Sequence, residues 1–241
     1  MNTIYVIGIG FKTLNKKERE IIYNSAFILS SSRLLEIFKR YKEFKKVRDR
    51  VRVIDNVDDT INFIKEDMKR HEEETSYSKS RNRKSEVGTI VILASGDPLF
   101  FGIGRRVISE FGKERVEIIP DLSSIQIAFS RVKEPWDDAL LVSIHRGPDP
   151  EKRRYLKYEI KDIPALLEKQ RKIAILTDRE NNPSEIAKIL ISSSIFIGKQ
   201  PTMFICERLG YPDEKIIKGT PEDIVNRSFL SPNVAIILFG D

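Results

Sequence analysis

Apolar and polar positions along this chain fall into blocks rather than one continuous amphipathic pattern. Thr3 to Ile9 and Thr89 to Leu93 are almost wholly apolar or β-branched, which suits strands buried on both faces of a parallel sheet. Between them, the pattern predicts a helix over Lys16 to Ala26, a short strand over Phe27 to Leu29 and a helix over Ser32 to Tyr41 capped by Ser31 or Ser32. Val51 to Ile54 reads as a third strand. Asp58 and Asp59 put negative charge at the start of a helix running from Thr60 towards His71. From Lys65 to Glu86 the chain is nearly all polar, Met68 apart; this stretch reads as a frayed helix end and a solvated or disordered loop with no core position. Arg105 to Phe111 then predicts a helix closed by Gly112, and Val116 to Ile119 an edge-like strand.

The second half opens another alternation. Leu140 to Ile144 and Lys172 to Thr177 read as strands, Ile125 to Phe129, Ile163 to Lys169 and Ser184 to Leu190 as helices. Thr202 to Cys206, Lys215 to Lys218 and Val234 to Phe239 are strands with little helix between them, which implies antiparallel pairing. The expected class is therefore α/β: a mostly parallel N-terminal sheet with helices over 1–118, a linker over 119–124 where Pro120-Asp121-Leu122-Ser123-Ser124 combines a rigid turn with capping hydroxyls, and a C-terminal domain with a mixed sheet over 125–241.

Composition narrows the setting. At 241 residues and 40% hydrophobic, the chain can build a sizeable core. No apolar run approaches the roughly 18 residues of a membrane span, and no signal peptide precedes the first strand. With Cys206 the only cysteine, neither an internal disulfide nor a cysteine-rich zinc site can form, which fits a cytoplasmic protein. The net charge of +6 is spread over a surface of mixed sign, compatible with an anionic small molecule, nucleic acid or an anionic membrane. Lys79, Arg81, Arg83 and Lys84 form a basic stretch, but only Tyr77 is interleaved as an aromatic, so no nucleic-acid partner is expected, and no membrane partner either.

The candidate chemistry lies where strands end. The run to Ala94 leads into Ser95-Gly96-Asp97-Pro98-Leu99-Phe100-Phe101-Gly102-Ile103-Gly104, a turn offering bare backbone, a carboxylate and a rigid bend. The first strand ends in Gly8 and Gly10. Alone, each is ordinary turn chemistry; together they point to one crevice at the strand ends of an open α/β sheet. Familiar sites are missing. Thr13 stands where a dinucleotide fingerprint needs glycine, and there is no phosphate loop, HExxH pair or nucleophile elbow. What remains is a ligand held largely by backbone between two α/β units, with no required metal or covalent nucleophile and no assignable acid or base. In the second half, Ser143-Ile144-His145-Arg146-Gly147, Cys206-Glu207-Arg208-Leu209-Gly210 and Ser231-Pro232-Asn233 each adjoin a strand and converge if they share one sheet edge. His145 is equally an ordinary loop histidine, Cys206 a small buried hydrophobe, and Glu207 with Arg208 a surface or interface pair.

Strand-Gly8-x-Gly10, the Gly96-Asp97-Pro98-Leu99-Phe100-Phe101-Gly102 loop, Pro120-Asp121-Leu122-Ser123-Ser124 and Ser231-Pro232-Asn233-Val234 resemble, in order along the whole chain, the motifs of the tetrapyrrole methylases. Within that family, Val142 to Gly147, Leu176 to Ala187 and Glu207 to Glu214 resemble the cobalamin-pathway branch that methylates carbon 5 of cobalt-precorrin-7. The resemblance implies a two-domain protein, commonly a homodimer, with S-adenosyl-L-methionine in the cleft between domains and no protein-bound metal. It places Gly96, Asp97, Pro98, Phe101, Ser123, Ser124, His145, Cys206 and Asn233 at the methyl donor. A polycarboxylate tetrapyrrole would meet Gly10, Lys12, Arg105, Arg106 and Arg146, and a bulky residue at Gly96 would weaken donor binding. A separate carbon-15 methylase and decarboxylase is the implied functional partner. The family's usual Gly-Pro after the first strand is Gly10-Phe11 here, and the polar stretch 72–86 looks like an insertion. The competing readings are an RNA or protein methylase of the same fold, or a non-enzymatic subunit that holds the tetrapyrrole.

Overall fold

A computed structural model of the chain describes residues 3–77, 88–145, 157–196, 198 and 200–240. The chain divides into two compact units, Met1–Ser123 and Ser124–Asp241. In the first, strands β1 (Ile4–Ile9), β2 (Ser25–Ser30), β3 (Val51–Val53), β4 (Thr89–Ser95) and β5 (Val116–Ile119) alternate with helices α1 (Lys16–Asn24), α2 (Ser32–Phe38), α3 (Phe44–Val47), α4 (Val57–Tyr77) and α5 (Gly104–Phe111). All neighbouring strands are parallel, in the order β3-β2-β4-β1-β5. Ile90 to Ala94 are consecutively buried, as expected of a central strand covered on both faces, and Val116–Ile119 is indeed an edge.

Local chemistry accounts for the helix boundaries. Asn15 and Glu18 form a reciprocal capping box at the start of α1, and Ser31 caps α2 by accepting from Leu34 N. Gly112, with φ of 84°, closes α5 by donating to Ile108 O at 2.9 Å. Three expectations need correction. The helix expected to reach Ala26 stops at Asn24, because Ser25 already pairs with Thr89 as the first residue of β2. The polar segment after Lys65 does not fray at once: α4 continues to Tyr77, its Met68 packs against the core and Asp67 is buried. Lys65 pairs with Glu110 of α5 at 2.7 Å, and His71 Nε2 lies 3.7 Å from the Asp67 carboxylate one turn earlier. The short α3 has no counterpart in the sequence reading. The remainder of the polar stretch, with the basic residues 79, 81, 83 and 84, lies outside the described residues.

The second unit contains β6 (Leu140–Ser143), β7 (Lys172–Leu176), β8 (Thr202–Glu207), β9 (Lys215–Gly219) and β10 (Asn233–Leu238), with α6 (Ser124–Val132), α7 (Ile163–Gln170), α8 (Pro183–Ser192) and α9 (Pro221–Ile224). Its sheet has the order β6-β7-β10-β8-β9 and is mixed: β6 and β7 are parallel, whereas β10 pairs antiparallel with β7 and β8, and β9 with β8. Asn182 caps α8, accepting from Ser184 N and Glu185 N, and Pro183 supplies a fixed φ in the first turn. The core of this unit runs from Ile163, Leu167, Ile186 and Leu190 on the helices to Ile173, Ile175, Ile205 and Ile237 on the sheet.

Candidate active site

Because the first sheet is parallel, its strands all end on one edge. β1 connects towards β2 while β4 connects towards β5, so these two neighbours send their chains in opposite directions across the sheet. That divergence opens a crevice at the strand ends. The loops there are tied tightly to one another. Gly96 N donates to Ile9 O at 3.1 Å, and Asp121 N donates to Gly96 O at 3.2 Å. Asp121 is only 5% exposed; its Oδ2 accepts from Phe11 N (2.8 Å) and Lys12 N (3.2 Å) and its Oδ1 from Leu122 N (2.7 Å). On the far side of the same loop, the Tyr41 hydroxyl donates to Lys12 O and accepts from Gly10 N, both at 2.9 Å. Burial pushes the Tyr41 pKa up, so the phenol keeps the proton it donates.

The Gly-Asp-Pro loop is self-supporting. Asp97 Oδ1 accepts from Leu99 N at 2.8 Å, Phe100 N donates to Asp97 O at 3.1 Å, and Gly104 N donates to Pro98 O at 2.9 Å. Phe101 has φ of 54° and packs edge-on against Phe100, ring centroids 4.7 Å apart. Gly96 has φ of 60°, and a Cβ there would lie 2.6 Å from Leu122 O. A bulky residue at Gly96 therefore disrupts loop packing before it reports on any ligand. Gly10 differs: at φ of 134° an added Cβ would meet nothing within 4 Å, so its bare backbone faces open space.

The second sheet also gathers its candidates on one edge. The registers Ser143↔Leu176, Leu176↔Val234, Asn233↔Glu207 and Glu207↔Lys215 bring the ends of β6, β7 and β8 beside the start of β10. His145 lies two residues beyond the end of β6 and is half-buried. Asn233 is buried; its Nδ2 donates to Leu230 O at 3.1 Å, and Thr177 Oγ1 donates to its carbonyl at 3.0 Å and to its Oδ1. Asn181 Nδ2 donates to Ile144 O at 2.8 Å and so ties the turn after β7 to the end of β6. Cys206 is fully buried, and burial pushes its thiol up to about 12, which removes it as a nucleophile. In the native protein a thiol reagent at pH 8 should label it negligibly, whereas denaturation should release one reactive thiol per chain; rapid native labelling would show the strand end to be open.

The candidates fall into distinct groups. Gly96, Asp97, Pro98 and Phe101 form one loop, with Ser123 at the end of the neighbouring one, while His145, Cys206 and Asn233 share the edge of the second sheet; Ser124 opens α6. Among the cationic candidates, Lys12 Nζ donates to Pro120 O at 2.6 Å and pairs with Glu18 at 3.7 Å. Arg106 pairs with Glu110 at 2.9 Å and Asp58 at 3.6 Å, Arg105 is exposed, and Arg146 lies outside the described residues. Glu207 and Arg208 are not a surface pair. Glu207 is 3% exposed and accepts from Leu230 N, whereas Arg208 pairs with Asp213 at 2.7 Å and stacks over Tyr211. The sequence reading gave Tyr41 no role beyond a helix end, and named Asp121, Thr177 and Asn181 only within motifs, without the hydrogen bonds they make. Among the described residues no group of three or more His, Cys, Asp or Glu is placed to hold a metal ion, and no helix is long and apolar enough to cross a membrane.

Comparison with known proteins places this geometry. A "Probable cobalt-precorrin-7 C(5)-methyltransferase" of Methanocaldococcus jannaschii is 29% identical over 230 residues, covering 94% of this chain and 93% of that protein. The cobalt-precorrin-7 C(5)-methyltransferase of Salmonella typhimurium is 36% identical over 150 residues, 62% of this chain and 65% of that one. The crystal structure of the cobalamin-biosynthesis precorrin-6Y methylase of Archaeoglobus fulgidus superposes with a TM-score of 0.62 at 20% identity, over 100% of this chain and 98% of that one, a likeness of fold. The family model described as Tetrapyrrole (Corrin/Porphyrin) Methylases matches residues 3–225, and the chain belongs to that family.

Proposed function

We propose that this chain is an S-adenosylmethionine-dependent C-methyltransferase that methylates carbon 5 of cobalt-precorrin-7 in cobalamin biosynthesis. The observation that carries this reading is the match to the M. jannaschii relative over 94% of this chain and 93% of that protein. The residues present fit the donor: the Gly96-Asp97-Pro98 loop at the switch point of the first sheet is held in place by backbone hydrogen bonds from Gly96 N to Ile9 O and from Asp121 N to Gly96 O, and bare backbone at Gly10 faces open space beside it. Gly96, Asp97, Pro98, Phe101 and Ser123 of the first unit and Ser124, His145, Cys206 and Asn233 of the second would hold it. Cys206 contributes backbone only, since its thiol is buried in the sheet. Gly10, Lys12, Arg105, Arg106 and Arg146 would face the tetrapyrrole. Lys12 and Arg106 bring charges already shared with Glu18, Glu110 and Asp58, so their pull on an anion is weaker than their number suggests.

When bound, S-adenosylmethionine supplies an electrophilic methyl group on a sulfonium. The chain's own part is binding and orientation. Pinned loops fix the position of both reactants, and alignment of this kind contributes on the order of 7–11 kcal/mol. No side chain is assigned the role of acid or base. A homodimer and a separate carbon-15 methylase and decarboxylase acting beside it belong to the same proposal.

Calorimetric titration with S-adenosylhomocysteine, followed by a methylation assay on cobalt-precorrin-7, tests the reading. One molecule of product analogue should bind per chain and Asp97→Ala should weaken it about tenfold, the loss of one charge-assisted contact; methyl transfer to carbon 5 should follow. Absence of binding would overturn the methyltransferase reading. Binding of the tetrapyrrole without turnover would favour the non-enzymatic subunit.

A further inference from the structure

The second unit carries a pocket of about 420 Å³ built from two connections: the turn after β7 with the start of α8, and the segment that runs from α9 to the start of β10. Two arginines, Arg179 and Arg227, contribute to its lining from different loops. The walls are pinned. Ser184 Oγ donates to Arg227 O, Asn182 Oδ1 holds Ser184 N at 2.9 Å, and Asn233 Nδ2 holds Leu230 O at 3.1 Å. The one carboxylate in the lining, Asp178, accepts from Glu180 N at 2.9 Å and Asn181 N at 2.7 Å. Asp223, the acidic neighbour of Arg227, is held by Thr220 through its backbone N–H at 2.9 Å and its hydroxyl at 3.0 Å. Among the described residues neither arginine side chain lies within ion-pair distance of a carboxylate, although the Arg227 charge acts on Asp223 at longer range, and the lining sets two arginines against one carboxylate already engaged by backbone.

We infer that this pocket binds a carboxylate, and that the carboxylate is one of the peripheral arms of the tetrapyrrole. Guanidinium groups on separate loops suit carboxylate recognition by geometry as well as charge. Both reactants of the proposed reaction carry a carboxylate, and their net charges separate them. The methyl donor has an ammonium and a sulfonium beside its single carboxylate and is a net cation, which a lining of net charge +1 repels. The tetrapyrrole's arms carry no compensating cation. Arg179 and Arg227 are thus substrate-positioning residues distinct from Lys12, Arg105, Arg106 and Arg146. This inference rests on the tetrapyrrole reading above.

The test uses the full chain and its Arg179→Ala, Arg227→Ala, double and Arg227→Lys variants, with KM and kcat for cobalt-precorrin-7 beside the affinity for S-adenosylhomocysteine. Each alanine should raise KM about tenfold, the effect of one charge-assisted contact at a solvent-facing site. kcat, S-adenosylhomocysteine affinity and the melting temperature should stay near wild type, and lysine at 227 should restore part of the loss. An unchanged KM in the double variant overturns the inference. Weakened S-adenosylhomocysteine binding with unchanged KM gives the carboxylate to the donor and overturns the assignment to the tetrapyrrole. A wild-type chain that binds S-adenosylhomocysteine but does not methylate or bind cobalt-precorrin-7 removes the underlying substrate reading, an outcome visible before any variant is made.

Discussion

Gly8→Ala is expected to destabilise the first unit more than any other single methyl group added to it. Gly8 is the fifth residue of β1, and a Cβ there would lie 1.9 Å from Gly96 O and 2.5 Å from Asp121 N. Those two atoms are themselves hydrogen-bonded, at 3.2 Å. Gly8 therefore sits beneath the bond that joins the loop after β4 to the loop after β5, and an alanine pushes directly into it. Overpacking usually costs about 1–3 kcal/mol because flexible side chains can give way. Here both obstacles are backbone, and relief also breaks the hydrogen bond, so a cost of about 4 kcal/mol or more is expected. For a unit of this size that corresponds to a fall in melting temperature of roughly 15 °C. Thermal unfolding followed by circular dichroism measures it. A midpoint within about 2 °C of wild type, less than 1 kcal/mol, would mean that the loops move apart easily and that the crevice is not preformed.

This reading of Gly8 also shows what the sequence makes legible. A run such as Ile90 to Ala94 announces a central strand because burial on both faces leaves no place for a polar residue. Local signals likewise carry α8, where Asn182 and Pro183 act within one turn, and the end of α5 at Gly112. Glycines at strand ends mark loops that the structure brings together, Gly96 N donating to Ile9 O at 3.1 Å, but not their task. Gly102 and Gly104 make room for Pro98 O, which a Cβ at either position would approach to 2.5 Å and 2.8 Å respectively, rather than for a ligand. Contacts between residues far apart in the chain leave no local trace. Tyr41 meets Gly10 across 31 residues and Asp121 meets Phe11 across 110. A Glu-Arg pair reads as surface until strand register buries Glu207 and turns Arg208 towards Asp213. The outer half of α4 is illegible for a related reason: part of its support, the Lys65–Glu110 pair, comes from a second helix.

Asp121→Ala should combine a loss of stability with a loss of binding, because one buried carboxylate organises the whole Gly10–Lys12 segment. Its two oxygens accept from three backbone N–H groups, those of Phe11, Lys12 and Leu122. Each is a hydrogen bond to a charged acceptor, worth about 1.5–3 kcal/mol when made, and part of the total returns as freed N–H groups reach water. A net cost of about 3 kcal/mol is expected. Asp121→Asn discriminates the mechanism. Its single carbonyl oxygen can serve Phe11 and Lys12 or Leu122 but not both sides, and its amide nitrogen confronts the remaining donor; stability should therefore fall between wild type and alanine. Both variants leave Tyr41 holding Gly10 N and Lys12 O, so the segment loses one of two anchors and should sample more positions without detaching. KM for cobalt-precorrin-7 measured well below the melting temperature should consequently rise at least about tenfold in Asp121→Ala, roughly the 1.4 kcal/mol that disorder of a binding loop withdraws. Unchanged KM in a destabilised but folded variant would sever the Gly10–Lys12 segment from the tetrapyrrole and confine Asp121 to a structural role.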